Sequence, residues 1–169
     1  RALDRIGTQN DSAEAIYNPE KYLLYCDPFM GQFDNRVKSG DAAGYADCAA
    51  RLSRYESHAE YGYLFRSLRT LCAFLSVKAD LGIRTRAAYL SGDKKAAKAL
   101  CTDYDAALER LDAFYAAYEQ QWMHENKPQG FDVVDLRIGG QRQRLLHCRD
   151  RLLAYAEGRL DRIEELEGP

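Results

Sequence analysis

The sequence predicts an all-α protein: an antiparallel helical bundle of three long helices, one shorter helix and a capping N-terminal segment. Only four prolines occur, and none lies between Phe29 and Lys127. That interval is rich in alanine, leucine and arginine, which are strong helix formers, and poor in β-branched residues. Two of the predicted helices are about 30 residues long, which is typical of helices that lie antiparallel in a bundle.

The first 40 residues differ from the rest and are predicted to be a linker with one short helix. Residues 1–10 carry only a weak apolar pattern, as expected for the tail of a helix from a preceding domain. Asn18 is predicted to cap a short helix that has Pro19 at its first position. We therefore divide the chain into a linker region, residues 1–40, and a helical bundle domain, residues 41–169.

Apolar residues recur at helical spacing through the middle of the chain. The first long helix is predicted over residues 41–57, with Asp41 as its N-cap. The second is predicted over residues 59–91, where Gly82 marks a kink or a close contact with another helix. Asp93 follows a turn and is placed to cap the next helix.

The third helix is predicted over residues 94–125 and the fourth over residues 138–167. The segment 122–140 between them is predicted to be neither helix nor strand, because Pro128 and Gly130 interrupt the helical pattern. Ordinary interhelical loops are polar and short. This connector is apolar, so we expect it to pack against another surface.

Charge and composition disfavour two classes of partner. The chain carries 24 basic and 26 acidic residues, without the basic excess of a nucleic-acid-binding protein. No apolar run approaches the roughly 20 residues that span a membrane. The charged run at residues 161–167 is expected to be a solvated helix end that frays or pairs with a basic surface.

The cysteines indicate a reducing compartment. They are odd in number and widely spaced, which disfavours a disulfide framework, and in helices cysteine is mostly a small buried hydrophobe. We therefore predict free structural thiols and a cytoplasmic location. The five residues concerned are Cys26, Cys48, Cys72, Cys101 and Cys148.

The sequence predicts no catalytic, cofactor-binding or metal-binding site. His124-Glu125 opens like a zinc-protease motif, but Pro128 occupies the position of the second histidine. None of the three histidines completes the Glu-x-x-His pair of a di-iron bundle. A structural zinc site would need a Cys-x-x-Cys or similar motif, which is also absent.

Other polar and small residues near the connector have structural interpretations. Asp132 is expected to pair with an arginine such as Arg137, and Asp135 to cap a helix, rather than the two acting as glycosidase carboxylates. Gly139 and Gly140 are expected to allow close approach of another element. The twelve tyrosines suit either a core edge or an aromatic sugar platform, and packing is the preferred interpretation.

Several stretches of the sequence resemble a known family in the same order. Residues 125–140 read E-N-K-P-x-G-F-D-V-x-D-x-R-x-G-G, residues 18–25 read N-P-E-K-Y-L-L-Y, and residues 81–86 read L-G-I-R-T-R. Together they resemble the C-terminal helical region of bacterial glycoside hydrolases of family 20, the exo-β-N-acetylhexosaminidases.

That resemblance implies what the chain does and does not contain. Family 20 enzymes carry a (β/α)8 barrel whose signature is an adjacent Asp-Glu pair, and no adjacent Asp-Glu occurs in this chain. The resemblance therefore implies a non-catalytic domain of an enzyme that removes terminal N-acetylhexosamine from glycans. Residues 1–40 would then lead from the catalytic barrel into the helical bundle.

Two hypotheses of function remain open. In the first, the chain is an accessory domain that packs on its own catalytic barrel, supports a dimer, or shapes an active site. In the second, it is a free-standing helical protein-interaction module. A stand-alone enzyme has no supporting motif. The residues predicted to lie at an interface or near a substrate are Trp122, Asn126, Lys127, Phe131, Val134 and Arg137.

Overall fold

The computed structural model describes residues 19–168 and confirms the all-α class. Within that range there is no strand. The predicted N-cap Asn18 and the predicted helical tail at residues 1–10 lie outside the described residues. The helices are α1 (Pro19–Tyr25), α2 (Asp41–Leu52), α3 (Gly62–Lys78), α4 (Leu81–Leu90), α5 (Lys94–Glu125) and α6 (Phe131–Ala156).

The long helices α5 and α6 form an antiparallel hairpin. Arg142 pairs with Asp112 and Arg149 pairs with Asp105, so residue numbers rise along one helix as they fall along the other. Arg149 is half-buried on α6, and its guanidinium group reaches the carboxylates of Asp105 and Asp150.

Helices α3 and α4 lie end to end along another side of α5. Arg66 of α3 bonds to Gln120 near the C-terminal end of α5, and Thr85 of α4 bonds to Tyr104 nearer its N-terminal end. The single helix predicted over residues 59–91 is therefore two helices. Its interruption lies at residues 79–80, just before Gly82, which packs against the segment that follows α1.

The core lies where these helices meet and includes large side chains with no exposed surface. Tyr104 and Leu111 supply it from α5, and Asp93 caps that helix as predicted by accepting a hydrogen bond from Ala96 N at 2.9 Å. Asp41 is the first residue of α2 rather than its N-cap, which is Gly40. Other fully buried residues are Phe29, Tyr45, Cys72, Phe74, Leu75, Leu81, Leu145, Cys148, Leu152 and Ile163.

Both ends of the fourth predicted helix are wrong. It begins at Phe131 instead of 138, so most of the predicted connector is helical, and the turn is only residues 126–130. It ends at Ala156 instead of continuing to 167. The remaining chain folds back on the bundle and buries Ile163 and Leu166, so the charged run is not a frayed helix end.

Candidate functional interface

An aromatic cluster closes the turn between α5 and α6. The Phe131 ring lies 5.8 Å from those of Trp122 and Tyr115 and 6.3 Å from that of Tyr118. Because Phe131 is only 4% exposed, it packs within its own chain. The cluster accounts for Trp122 and Phe131 among the apolar residues of the predicted connector.

Hydrogen bonds fix the turn itself. Trp122 Nε1 donates to the carbonyl of Lys127 at 2.9 Å. Gly130 has a φ of +94°, in the left-handed region that favours glycine, and its N–H donates to Asp132 Oδ1 at 3.1 Å. The Asp132 carboxylate therefore bonds to the N-cap residue of α6, whereas an ion pair with Arg137 was predicted.

The first half of α6 leaves an apolar face in solvent. Val133 is 44% exposed and Leu136 is 77% exposed. Leu136 lies three and four residues before Gly139 and Gly140, and residues at these spacings share one side of a helix. A Cβ added at either glycine would meet no atom within 4 Å. We call residues Val133, Leu136, Gly139 and Gly140 the α6 face.

Nothing among the described residues requires glycine at the two glycine positions of the α6 face. Glycine in a helix interior costs about 1 kcal/mol relative to alanine, and no neighbouring atom among the described residues requires its small size. Their predicted use was close approach of another element. No described element approaches them, which leaves a partner outside the described residues as the use to test.

Two charged groups flank this region. Asp135 accepts a hydrogen bond from the Tyr115 hydroxyl at 2.7 Å, and that bond raises the pKa of Tyr115 to about 12. Asp135 thus links α6 to α5. The sequence analysis predicted instead that Asp135 caps a helix. Tyr25 is partly exposed; burial raises its pKa, while the nearby Arg137 guanidinium acts to lower it. Arg137 therefore lies close to the end of α1.

The structure brings together only some of the predicted site residues. Trp122 and Phe131 are in contact, and Val134 is partly buried against the core. Asn126 and Lys127 are exposed at the turn, and Arg137 is exposed farther along α6. Whether these six residues form an interface stays a prediction. The α6 face adds Leu136. Its exposure follows from its position on helix α6, which the sequence analysis does not predict for residues 131–137.

In contrast, the second half of α6 is tied down by charge. Arg144 donates to both carboxylate oxygens of Asp27, at 2.6 and 3.2 Å, and to Glu165 at 2.7 Å. Desolvation opposes ionisation of Asp27, yet the hydrogen bonds from Arg144 and from the backbone N–H groups of Met30 and Phe29 hold its pKa below the usual value. This cluster locks the segment after α1 onto the bundle.

Two more cations hold the same segment. Lys78 is buried and donates to the carbonyls of Cys26 at 2.6 Å and Leu23 at 3.3 Å; burial lowers its pKa. Arg86 bonds to the carbonyl of Phe29 and to the carboxylate of Asp34. We call residues 26–34 the anchor segment. It places α1 in a fixed position relative to α3, α4 and α6.

The described residues contain no group of three or more His, Cys, Asp or Glu side chains placed to hold a metal. All five cysteines lie among the described residues, are buried, and form no disulfide. Burial raises the pKa of Cys148 to about 12, and a thiol in such surroundings is a poor nucleophile. No described helix has both the length and the apolar character needed to cross a membrane.

The described residues form an all-α helical bundle that leaves the α6 face exposed. The chain matches the glycoside hydrolase 20C C-terminal domain family over residues 1–169. It therefore belongs to that family, which confirms the resemblance seen in the sequence. No curated protein matches the chain.

Proposed function

We propose that this chain is the non-catalytic C-terminal helical domain of an exo-β-N-acetylhexosaminidase, a glycoside hydrolase that removes terminal N-acetylhexosamine from glycans. The observation that carries the proposal is the family match, which extends over all 169 residues. In this role the domain packs on its own catalytic barrel and a second subunit, and it acts on the reaction only by holding these bodies in position.

The non-catalytic part of the proposal is supported by the residues present. Retaining and inverting glycosidases of the common type use two carboxylates that flank the scissile bond. Asp132 and Asp135 are the pair closest to that pattern in the sequence. Asp132 accepts a hydrogen bond from the N–H of Gly130, and Asp135 accepts one from the hydroxyl of Tyr115. The chain has no adjacent Asp-Glu, so the barrel supplies the catalytic groups.

The packing role is supported by the α6 face. An exposed leucine on this face offers apolar area to a partner. The two glycines beside it would let the partner approach the backbone of α6 closely. The domain has a near-balanced charge of −2, so we place neither a nucleic acid nor an anionic membrane among its partners. The partners are the catalytic barrel and a second subunit.

The anchor segment supports a fixed orientation of the barrel. In this proposal residues 1–40 lead from the barrel into the bundle. The ties from Lys78, Arg86 and Arg144 prevent residues 26–34 from acting as a flexible hinge. A barrel joined at this point is held at one angle to the bundle.

We also place the protein in the cytoplasm. The five cysteines are buried and form no disulfide, so the fold of the described residues does not depend on an oxidising compartment.

The first experiment compares the full-length protein with the present chain in hydrolysis of a chromogenic N-acetyl-β-glucosaminide. We expect the full-length protein to be active and the chain alone to be inert. Activity in the chain alone would contradict the non-catalytic role. An inactive, correctly folded full-length protein would contradict the proposed enzyme activity.

A second experiment tests the packing role in the full-length protein. Leu136→Asp places a charge on the α6 face, and Leu90→Asp, at a residue 67% exposed on α4, is the matched control. We expect Leu136→Asp alone to lower the light-scattering mass or the thermal stability. Equal behaviour of the two variants would contradict an interface at this face.

A further inference from the structure

A groove opens between α2, α3 and α5, away from the α6 face. Its volume is about 370 Å³, within the range of small-molecule sites. Four alanines from three helices line the groove with small apolar side chains. Two arginines and two hydroxyl residues supply its polar groups. The lining residues are Ala46, Ala49, Arg69, Thr70, Ala73, Ser76, Arg110 and Ala113.

Arg110 is held in a fixed orientation in this groove. Its Nη1 donates to the carbonyl of Ala73 at 2.9 Å and to Ser76 Oγ at 2.7 Å. These two bonds use both hydrogens of Nη1. The Nε and Nη2 edge has no hydrogen-bond partner among the described residues. That edge is the side of a guanidinium whose two parallel N–H groups match a carboxylate.

Among the half-buried arginines that the structure describes, Arg110 differs from the others because it forms no ion pair with a carboxylate. Seven arginines among the described residues are half-buried. Six of them form ion pairs with Asp or Glu: Arg69, Arg84, Arg86, Arg144, Arg149 and Arg151. Arg110 has only the two neutral acceptors. Because a partly desolvated cation without an anion is costly, the missing partner is a candidate ligand.

We propose that the groove binds a small monocarboxylic acid. Its carboxylate bonds side-on to the Nε and Nη2 edge of Arg110, and its short apolar body lies against the alanine methyl groups. This site is independent of the α6 face and of the proposed glycosidase function.

The charge in the groove selects a monoanion. Arg69 is already paired with Glu56, which leaves one uncompensated positive charge, on Arg110. A dianion such as phosphate would bring one negative charge too many into a groove whose other wall groups are methyls and hydroxyls already bonded within the chain. Thr70, for example, donates to the carbonyls of Arg66 or Ser67.

The test is ligand-observed saturation-transfer NMR on the full-length protein with butyrate. Butyramide, which has the same shape without charge, is observed directly, and inorganic phosphate, which has no carbon-bound protons to observe, is added as a competitor of butyrate at matched ionic strength. We expect saturable binding of butyrate, weaker binding of phosphate, and no binding of butyramide. Tighter binding of phosphate, equal binding of butyramide, or no binding of butyrate would overturn the proposal.

Variants locate the site. Arg110→Gln is expected to weaken butyrate about tenfold or more, since a charge-assisted hydrogen bond is lost. Arg142→Gln, an exposed arginine on α6, is the control and should leave binding unchanged. Ala113→Leu keeps every charge and fills the groove from an exposed position, so it should abolish binding even if Arg110→Gln folds poorly. Unchanged binding in Ala113→Leu would place the ligand elsewhere and overturn the proposal.

Discussion

The two halves of α6 differ in what their side chains contact. The C-terminal half is bound by charge to the chain itself, through Arg144 with Asp27 and Glu165. The N-terminal half exposes Leu136 and two glycines at which an added Cβ would meet no atom of the described residues within 4 Å. Ion pairs therefore fix the C-terminal half of α6 to the rest of the chain. The N-terminal half keeps an exposed apolar surface, where we propose that a second protein body docks.

The largest effect is expected from Lys78→Ala, at the buried residue of α3 that bonds to the start of the anchor segment. The change removes the donor to the carbonyls of Leu23 and Cys26 and leaves a buried void. We expect a loss of about 3 kcal/mol in the free energy of unfolding, from the cavity and the unpaired carbonyls together. Urea denaturation of the chain measures it.

The control for this change is Lys98→Ala, at an exposed lysine on α5 paired with Glu157. It should cost less than about 0.5 kcal/mol. Equal effects of the two variants would mean that Lys78 is not an anchor.

A smaller effect, with a pH signature, is expected from Arg144→Gln. The loss of charged hydrogen bonds to Asp27 should cost about 2 kcal/mol at neutral pH. The pKa of Asp27 is held below 3.8 in the folded chain. A depressed carboxyl pKa stabilises the fold above the unfolded value, and this contribution is lost as pH falls through the folded pKa.

The wild type should therefore lose more stability than Arg144→Gln as pH falls below about 4. Denaturation curves from pH 7 to pH 2 give the comparison. Arg142→Gln, which breaks a more exposed pair with Asp112, should change little. Parallel pH profiles for wild type and Arg144→Gln would contradict the role of the Asp27 pair.

The last comparison concerns two helical glycines, for which the expected effects differ in sign. A Cβ at Gly82 would lie 2.8 Å from the carbonyl oxygen of Pro28 in the anchor segment, so Gly82→Ala should destabilise by about 1–3 kcal/mol. Gly140→Ala meets nothing and should stabilise the chain by about 0.5–1 kcal/mol. Thermal unfolding of both variants decides this; stabilisation by Gly82→Ala would contradict the close packing of α4 on the anchor segment.

The sequence was sufficient for the fold class and for most of the helices, because long apolar stripes at helical spacing dominate it. It failed where local signals opposed packing. Residues 131–140 contain valines and a glycine pair, which disfavour a helix, yet Phe131 and Ile138 are buried against the bundle. Burial of these side chains outweighs the local preference, and the helix starts directly after Gly130.

The candidate surfaces were only partly accessible to sequence analysis. Trp122 and Phe131 stood out as aromatic residues beside a turn, and the structure does place them together. The exposure of Leu136 could be recognised only once residues 131–140 were known to be helical. Arg110 carries no sequence signal at all, because its lack of a carboxylate partner depends on residues from three separate helices.

The central claim is that another protein body covers the α6 face in the full-length protein. The most direct measurement is the maleimide labelling rate of Leu136→Cys, quantified by mass spectrometry of its peptide, in the chain alone and in the full-length protein. The native thiols are buried, and Leu90→Cys serves as an exposed control. We predict fast labelling at position 136 in the chain alone and slow labelling in the full-length protein, with position 90 fast in both. Equally fast labelling at position 136 in both proteins would contradict the account.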